Sequence, residues 1–131
     1  MGLTILVVDD SSTTRAIIKR IISMCGFDSP TVLEAADGGA GLKAAVQSRP
    51  DLILADLQMP VLNGVDMIQK LMEDPLTRTI PVVIVSAEPG QETIQKLKAA
   101  GAKGHVSKPF TPERIKTVIG EALGVLGVNH G

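Results

Sequence analysis

Leu3-Thr4-Ile5-Leu6-Val7-Val8-Asp9-Asp10 is a β-type run that ends in two adjacent acids, and the same pattern recurs along the chain. Leu52-Ile53-Leu54-Ala55 runs into Asp56, Val82-Val83-Ile84-Val85 runs into Ser86, and Lys108 follows His105-Val106-Ser107. Continuous apolar strands are what a parallel sheet covered on both faces requires. In an open parallel sheet the C-terminal strand ends share one edge, and ligands bind at that edge. Three carboxylates, a hydroxyl and an amine gathered there can hold a divalent cation and a phosphoryl group.

Between these runs lie helical patterns, so strand and helix alternate five times. Ser11 or Ser12 is placed to cap a first helix, whose stripe is Ile17, Ile18, Ile21, Ile22 and Cys25, with Gly26 as its stop. Thr31–Ala35 reads as the second strand. Asp37 caps a helix whose apolar side includes Leu42, Ala45 and Val46. After the third strand, Leu52–Ala55, the stretch Gln58-Met59-Pro60-Val61-Leu62-Asn63-Gly64 reads as a loop. Val65, Ile68, Leu71 and Met72 stripe the third helix, which Asp74-Pro75 ends. The fourth helix, about Gln91 to Ala100 before Gly101, has a thin stripe of Ile94, Leu97 and Ala100 and is therefore easily shifted. A short strand near Gly104–Ser107 precedes a helix opened by Thr111-Pro112 and striped by Ile115, Val118, Ile119, Ala122, Leu123 and Leu126. Gly120, Gly124 and Gly127 weaken that last helix.

Five β-then-α units with right-handed crossovers predict one α/β sandwich around a parallel sheet. The order 2-1-3-4-5 makes strands 1 and 3 neighbours and brings Asp9 and Asp10 beside Asp56. At 131 residues and 44% hydrophobic, the chain suits one domain with one core. No stretch approaches the ~18 apolar residues of a membrane span, and no signal peptide is visible. With Cys25 the only cysteine, no internal disulfide forms. These features predict a cytoplasmic protein without a membrane partner. A net charge of −1, no Trp or Tyr and only two Phe argue against direct nucleic-acid binding. Residues 91–131 carry 6 basic and 3 acidic residues, either ordinary solvated helix faces or a mildly cationic partner surface.

Alone, Asp56 would read as a cap or turn former, Ser86 as a turn residue and Lys108 as a surface lysine. Their joint placement changes that reading. Three clustered carboxylates repel one another unless a cation lies between them. Oxygen-only donors suit Mg²⁺, whereas one Cys and the isolated His105 and His130 build no zinc site. The chemistry that fits is attack of an Asp56 carboxylate oxygen on a phosphoryl group, with the cation and Lys108 neutralising charge.

Val7-Val8-Asp9-Asp10-Ser11, Asp56-Leu57-Gln58-Met59-Pro60, Asn63-Gly64, Ser86-Ala87 and Lys108-Pro109-Phe110 together resemble a CheY-like receiver domain of two-component response regulators. The resemblance spans roughly residues 3–126 and implies a flavodoxin-like (βα)5 doubly wound fold, for which 2-1-3-4-5 is the known order. It implies that Asp56 accepts a phosphoryl group from a histidine kinase or a phosphotransfer protein. Asp10 would bind Mg²⁺ directly, Asp9 mainly through water, and the Gln58 carbonyl would complete the metal ligands. Lys108 would bond the acyl phosphate through a loop with a cis bond to Pro109, and Ser86 would be the switch hydroxyl. Position 105 would be a switch aromatic, yet it is His where Tyr or Phe is usual, so an exposed polar strand residue is equally open. Polar Gln58 and Glu88 would let water reach the phospho-aspartate and make it transient. The output surface would be the face of helix 4, strand 5 and helix 5, with Lys96, Lys98, Lys103 and Lys116 as candidates, acting on an unidentified protein target.

Other classes remain on the same residues. The domain could belong to a longer response regulator or hybrid kinase. An aspartate-nucleophile phosphatase of the haloacid-dehalogenase type wants Asp-x-Asp after strand one, where this chain has Asp9-Asp10-Ser11-Ser12. A flavodoxin-like FMN carrier wants an acid-free phosphate loop and an aromatic ring to stack on flavin.

Overall fold

The computed structural model describes residues 3–27, 29–59, 61–87 and 90–124. Its elements are β1 (Thr4–Val8), α1 (Ser12–Ser23), β2 (Thr31–Ala35), α2 (Gly38–Ser48), β3 (Leu52–Ala55), α3 (Gly64–Glu73), β4 (Val82–Ala87), α4 (Gln91–Ala100), β5 (Gly104–Lys108) and α5 (Pro112–Leu123). The five strands form one parallel sheet in the order β2-β1-β3-β4-β5, as the sequence predicts. Leu126 and the other residues beyond 124 lie outside the described part.

The sheet separates two apolar layers because successive side chains of a strand point to opposite faces. Ile5, Val7, Leu52, Leu54, Val83 and Val85 face α1 and α5, where Ile18, Ile22, Ile115 and Ile119 meet them. Leu6, Val8, Ile53, Ala55, Val82 and Ile84 face the other side, against Ala45, Met67, Ile68, Leu71 and Leu97. Full burial of strands on both faces is why their sequences read as unbroken apolar runs.

Helix starts follow the capping residues. The Ser11, Asp37, Asn63 and Thr111 side chains accept from the backbone N–H groups of Thr14, Ala40, Asp66 and Arg114. Several expectations need correction. Ile17 and Val46 are 48% and 37% exposed, so the apolar stripes of α1 and α2 are narrower than their sequences imply. Buried Gly38 and Gly41 do part of the packing expected of α2's larger residues. A Cβ at Gly38 would collide with the backbone carbonyl of Leu62, so this glycine lets the β3–α3 loop lie directly on the start of α2. Helix α1 ends at Ser23 with Met24 as its C-cap, and Gly26 takes a left-handed φ of 84° two residues further on. Both β4 and β5 run further than read, so Ser86 and Lys108 belong to strands rather than following them. As expected, α4 is thinly anchored, with Leu97 its buried residue. Helix α5 closes at Gly124, before Leu126, which the sequence places in its stripe.

Candidate functional site

The sheet order places the ends of β1, β3, β4 and β5 side by side. Asp9 donates its N–H to the Ala35 carbonyl, and Asp56 donates its N–H to the Val8 carbonyl. Each acid thus continues the hydrogen-bonding of its strand by one residue. Carboxylate oxygens of Asp9, Asp10 and Asp56 all lie within 4.8 Å of one another. Asp9 is buried, its Oδ1 accepting from the Ser11 N–H at 2.9 Å. Asp10 is exposed, and Asp56 is intermediate, its Oδ1 accepting from the Leu57 N–H at 2.7 Å.

Lys108 reaches in from β5. Its Nζ is 3.2 Å from Asp9 Oδ2 and 3.7 Å from Asp56 Oδ2. The peptide between Lys108 and Pro109 is cis, as the resemblance implied. Burial pushes the Asp56 carboxyl above the usual range, the Lys108 charge opposes this, the Asp9 charge adds to it, and the Leu57 and Gln58 N–H groups oppose it. Desolvation together with repulsion from Asp9 therefore outweighs the lysine and the two N–H groups. An acid cluster in that condition is one that a divalent cation would relieve. All-oxygen donors at this spacing fit Mg²⁺.

Asp56, Leu57, Gln58, Ser86, Ala87, Gly90, Thr93 and Lys108 line one open cleft of about 420 Å³. Ser86 is buried, and its hydroxyl donates to the Ala87 carbonyl at 3.0 Å, so it must leave that acceptor to bond a group in the cleft. Gly64 backs the site: its N–H donates to the Leu57 carbonyl, and a Cβ there would lie 2.7 Å from the Asp56 carbonyl oxygen. Thr93, on the first turn of α4, carries no signal in the sequence, where it is one Thr on a polar helix face. Pro60, Glu88 and His130 lie outside the described residues.

His105 is half-buried in β5 and borders a small cleft with Ile94, Leu97, Lys98, Ala102, Lys103 and Gly104. Its carbonyl accepts from Arg114 Nη2 at 3.3 Å. Position 105 is thus half-buried rather than the exposed strand residue of the alternative reading. Lys96, Lys98, Lys103 and Lys116 are all exposed but do not share one patch. Lys98 and Lys103 flank His105, Lys96 faces the α3 side beside Gln69 and Glu73, and Lys116 borders a cleft with Met24 and Cys25.

This edge can hold a cation and an anionic group together. Residues 5–120 match the family model described as the response regulator receiver domain. The chemotaxis protein CheY1 of Helicobacter pylori is 36% identical over 121 residues, covering 92% of this chain and 96% of that protein. CheY of Pseudomonas aeruginosa is 36% identical over 115 residues, covering 88% and 91%. Among solved structures, Vibrio cholerae CheY4 superposes with a TM-score of 0.86 at 30% identity, covering 94% of this chain and all of that one. The receiver domain of a Pseudomonas aeruginosa sensor histidine kinase, solved with a magnesium ion coordinated in its active-site cleft, gives 0.84 at 25% identity, covering 95% and 99%. The chain belongs to the response-regulator receiver family and is a CheY-like receiver domain of two-component signalling.

Proposed function

We propose that Asp56 is the phosphoryl acceptor and that the chain's output is a change of surface rather than a chemical product. An oxygen of the Asp56 carboxylate attacks the phosphorus of a phosphohistidine on a sensor kinase or phosphotransfer protein. The P–N bond breaks, the imidazole leaves, and Asp56 carries an acyl phosphate. Asp9, Asp10, Asp56 and the Gln58 carbonyl would hold Mg²⁺. When bound, that ion supplies positive charge against which three acids and a phosphoryl group can stand together. Lys108 adds a point charge beside the acceptor and would pair with a phosphoryl oxygen. The single observation that carries this reading is the gathering of three carboxylates and the Lys108 ammonium on one strand edge.

Ser86 serves as the switch hydroxyl, turning from the Ala87 carbonyl toward the phosphoryl group, and His105 follows it inward. Helix α4, with Leu97 as its buried anchor, is the element whose two positions differ least in energy, so loading of Asp56 shifts its population. The face of α4, β5 and α5 then meets a downstream protein. The domain is one receiver unit with its core near residues 3–126, it works in the cytoplasm, and its phospho-aspartate is transient.

Intact mass after incubation with a small phosphoryl donor tests the assignment. One added phosphoryl group that requires Mg²⁺ and is missing in Asp56→Asn supports it. An adduct that survives in Asp56→Asn places the acceptor elsewhere.

A further inference from the structure

Arg15 lies one turn into α1 and reaches back to the end of β1. Its Nη1 donates to the Asp9 carbonyl, and its Nε donates to Glu34 Oε1 at 3.0 Å. Glu34 stands on β2 opposite Val7, so the guanidinium spans the edge from β2 to the end of β1. Lys19 adds a longer approach to the other oxygen of Glu34, at 3.9 Å. The Arg15 side chain is 16% exposed, held down against the strand end, while Glu34, at 38%, lies at the surface.

The Asp9 carbonyl matters because it shares a rigid peptide plane with the N–H of Asp10. Asp9 has a hydrogen-bond partner at every other polar atom: Ala35 at its N–H, Ser11 at Oδ1 and Lys108 at Oδ2. Exposed Asp10 depends on the backbone that carries it. We propose that Arg15 is a positioning residue for the acid cluster: it locks the Asp9–Asp10 peptide plane, with Glu34 holding the guanidinium in register, and so sets where Asp10 presents its carboxylate. A planar guanidinium can serve both acceptors at once, whereas an ammonium at that position serves one.

This inference rests on the reading of Asp9, Asp10 and Asp56 as a Mg²⁺ site, and it makes a prediction of sign. On charge alone, removing Arg15 should strengthen Mg²⁺ binding, because a nearby positive charge is lost. Positioning demands the reverse. Calorimetric Mg²⁺ titration of Arg15→Ala should show affinity about tenfold weaker, the scale seen when the partner that orients a metal ligand is lost. Arg15→Lys, which keeps the charge, should fall between that and wild type, and Glu34→Gln should show a smaller loss. In an Asp10→Asn background, Arg15→Ala should cause little further loss. Thermal melts without metal separate this role from a purely structural strap. If the variants lower Tm but bind Mg²⁺ as wild type does, or more tightly, the proposal is overturned. Should Arg15→Ala not fold, Arg15→Lys and Glu34→Gln decide the matter by the same comparison. Wild type that binds no Mg²⁺ would overturn the metal-site reading itself, and the proposal with it, in a trace that involves no variant.

Discussion

The Lys108 ammonium lies 3.2 Å from the Asp9 carboxylate, an ion pair between residues 99 positions apart in sequence. Asp9 is 2% exposed, so Lys108 is the positive charge that makes its burial tolerable. The same ammonium occupies space and potential that a divalent cation would use. Lys108→Ala should therefore lower metal-free stability by about 1–2 kcal/mol, between the values for exposed and fully buried pairs. It should also tighten Mg²⁺ binding several-fold. Denaturant melts and Mg²⁺ titration measure the two effects, and a Lys108→Ala protein that binds Mg²⁺ more weakly would contradict the competition.

Asp56 gives a pH signature. Its pKa is raised in the folded chain by burial first, with Lys108 opposing and Asp9 adding. A raised folded pKa means that the native state binds this proton more tightly than the unfolded chain does. The stabilisation it provides is complete below the unfolded value of 3.8 and is lost as pH rises through the folded pKa. At neutral pH the ionised group is thus a net burden. Without metal, Asp56→Asn should raise Tm by roughly 2–5 °C at pH 7. The gap between variant and wild type should close as the pH falls toward the unfolded value.

Backbone packing around the site is equally open to test. With no room for a Cβ between α2 and the Leu62 carbonyl, Gly38→Ala should displace the β3–α3 loop and cost about 1–3 kcal/mol. Gly64→Ala presses on the Asp56 carbonyl instead, so it should impair phosphoryl acceptance beyond its effect on stability. Equal acceptance per folded molecule would show that Asp56 tolerates the shift.

Val61 carries strain at the surface. Its φ is +72°, a left-handed conformation that β-branched residues avoid, and it is 83% exposed. Val61→Asn keeps the conformation at lower cost and should stabilise the chain by about 1 kcal/mol. No gain in a thermal melt would mean that side-chain contact along the loop offsets the backbone strain.

The fold was legible because β1, β3 and β4 are buried on both faces and four of the five helix starts have a capping side chain, features that are local and written in residue type. Strand-end chemistry carried the site: Asp9, Asp10, Asp56, Ser86 and Lys108 stand where apolar runs stop, and the sheet order does the rest. Less was legible where a residue's role depends on a distant partner. Ile17 matches the helical period of its buried neighbours yet faces solvent, since the stripe on α1 needs only the width of the sheet it covers. Gly38 and Gly41 contribute nothing to a hydrophobic pattern, although α2 packs through them. Buried Thr77 donates to the Leu71 carbonyl at 2.7 Å, and Arg15 bridges β1 and β2. Both look like ordinary polar residues until the chain is folded around them.

The N–H groups of Asp9 and Asp56 are bonded to the carbonyls of Ala35 and Val8, so the acid edge is an extension of the sheet itself. In α4, by contrast, Leu97 is the buried residue. Amide hydrogens at the two acids should exchange with solvent only when the whole molecule opens, while those of α4 should exchange through a much cheaper, partial opening. The molecule is thus graded in cohesion, able to loosen α4 without loosening the strand edge that carries the acids.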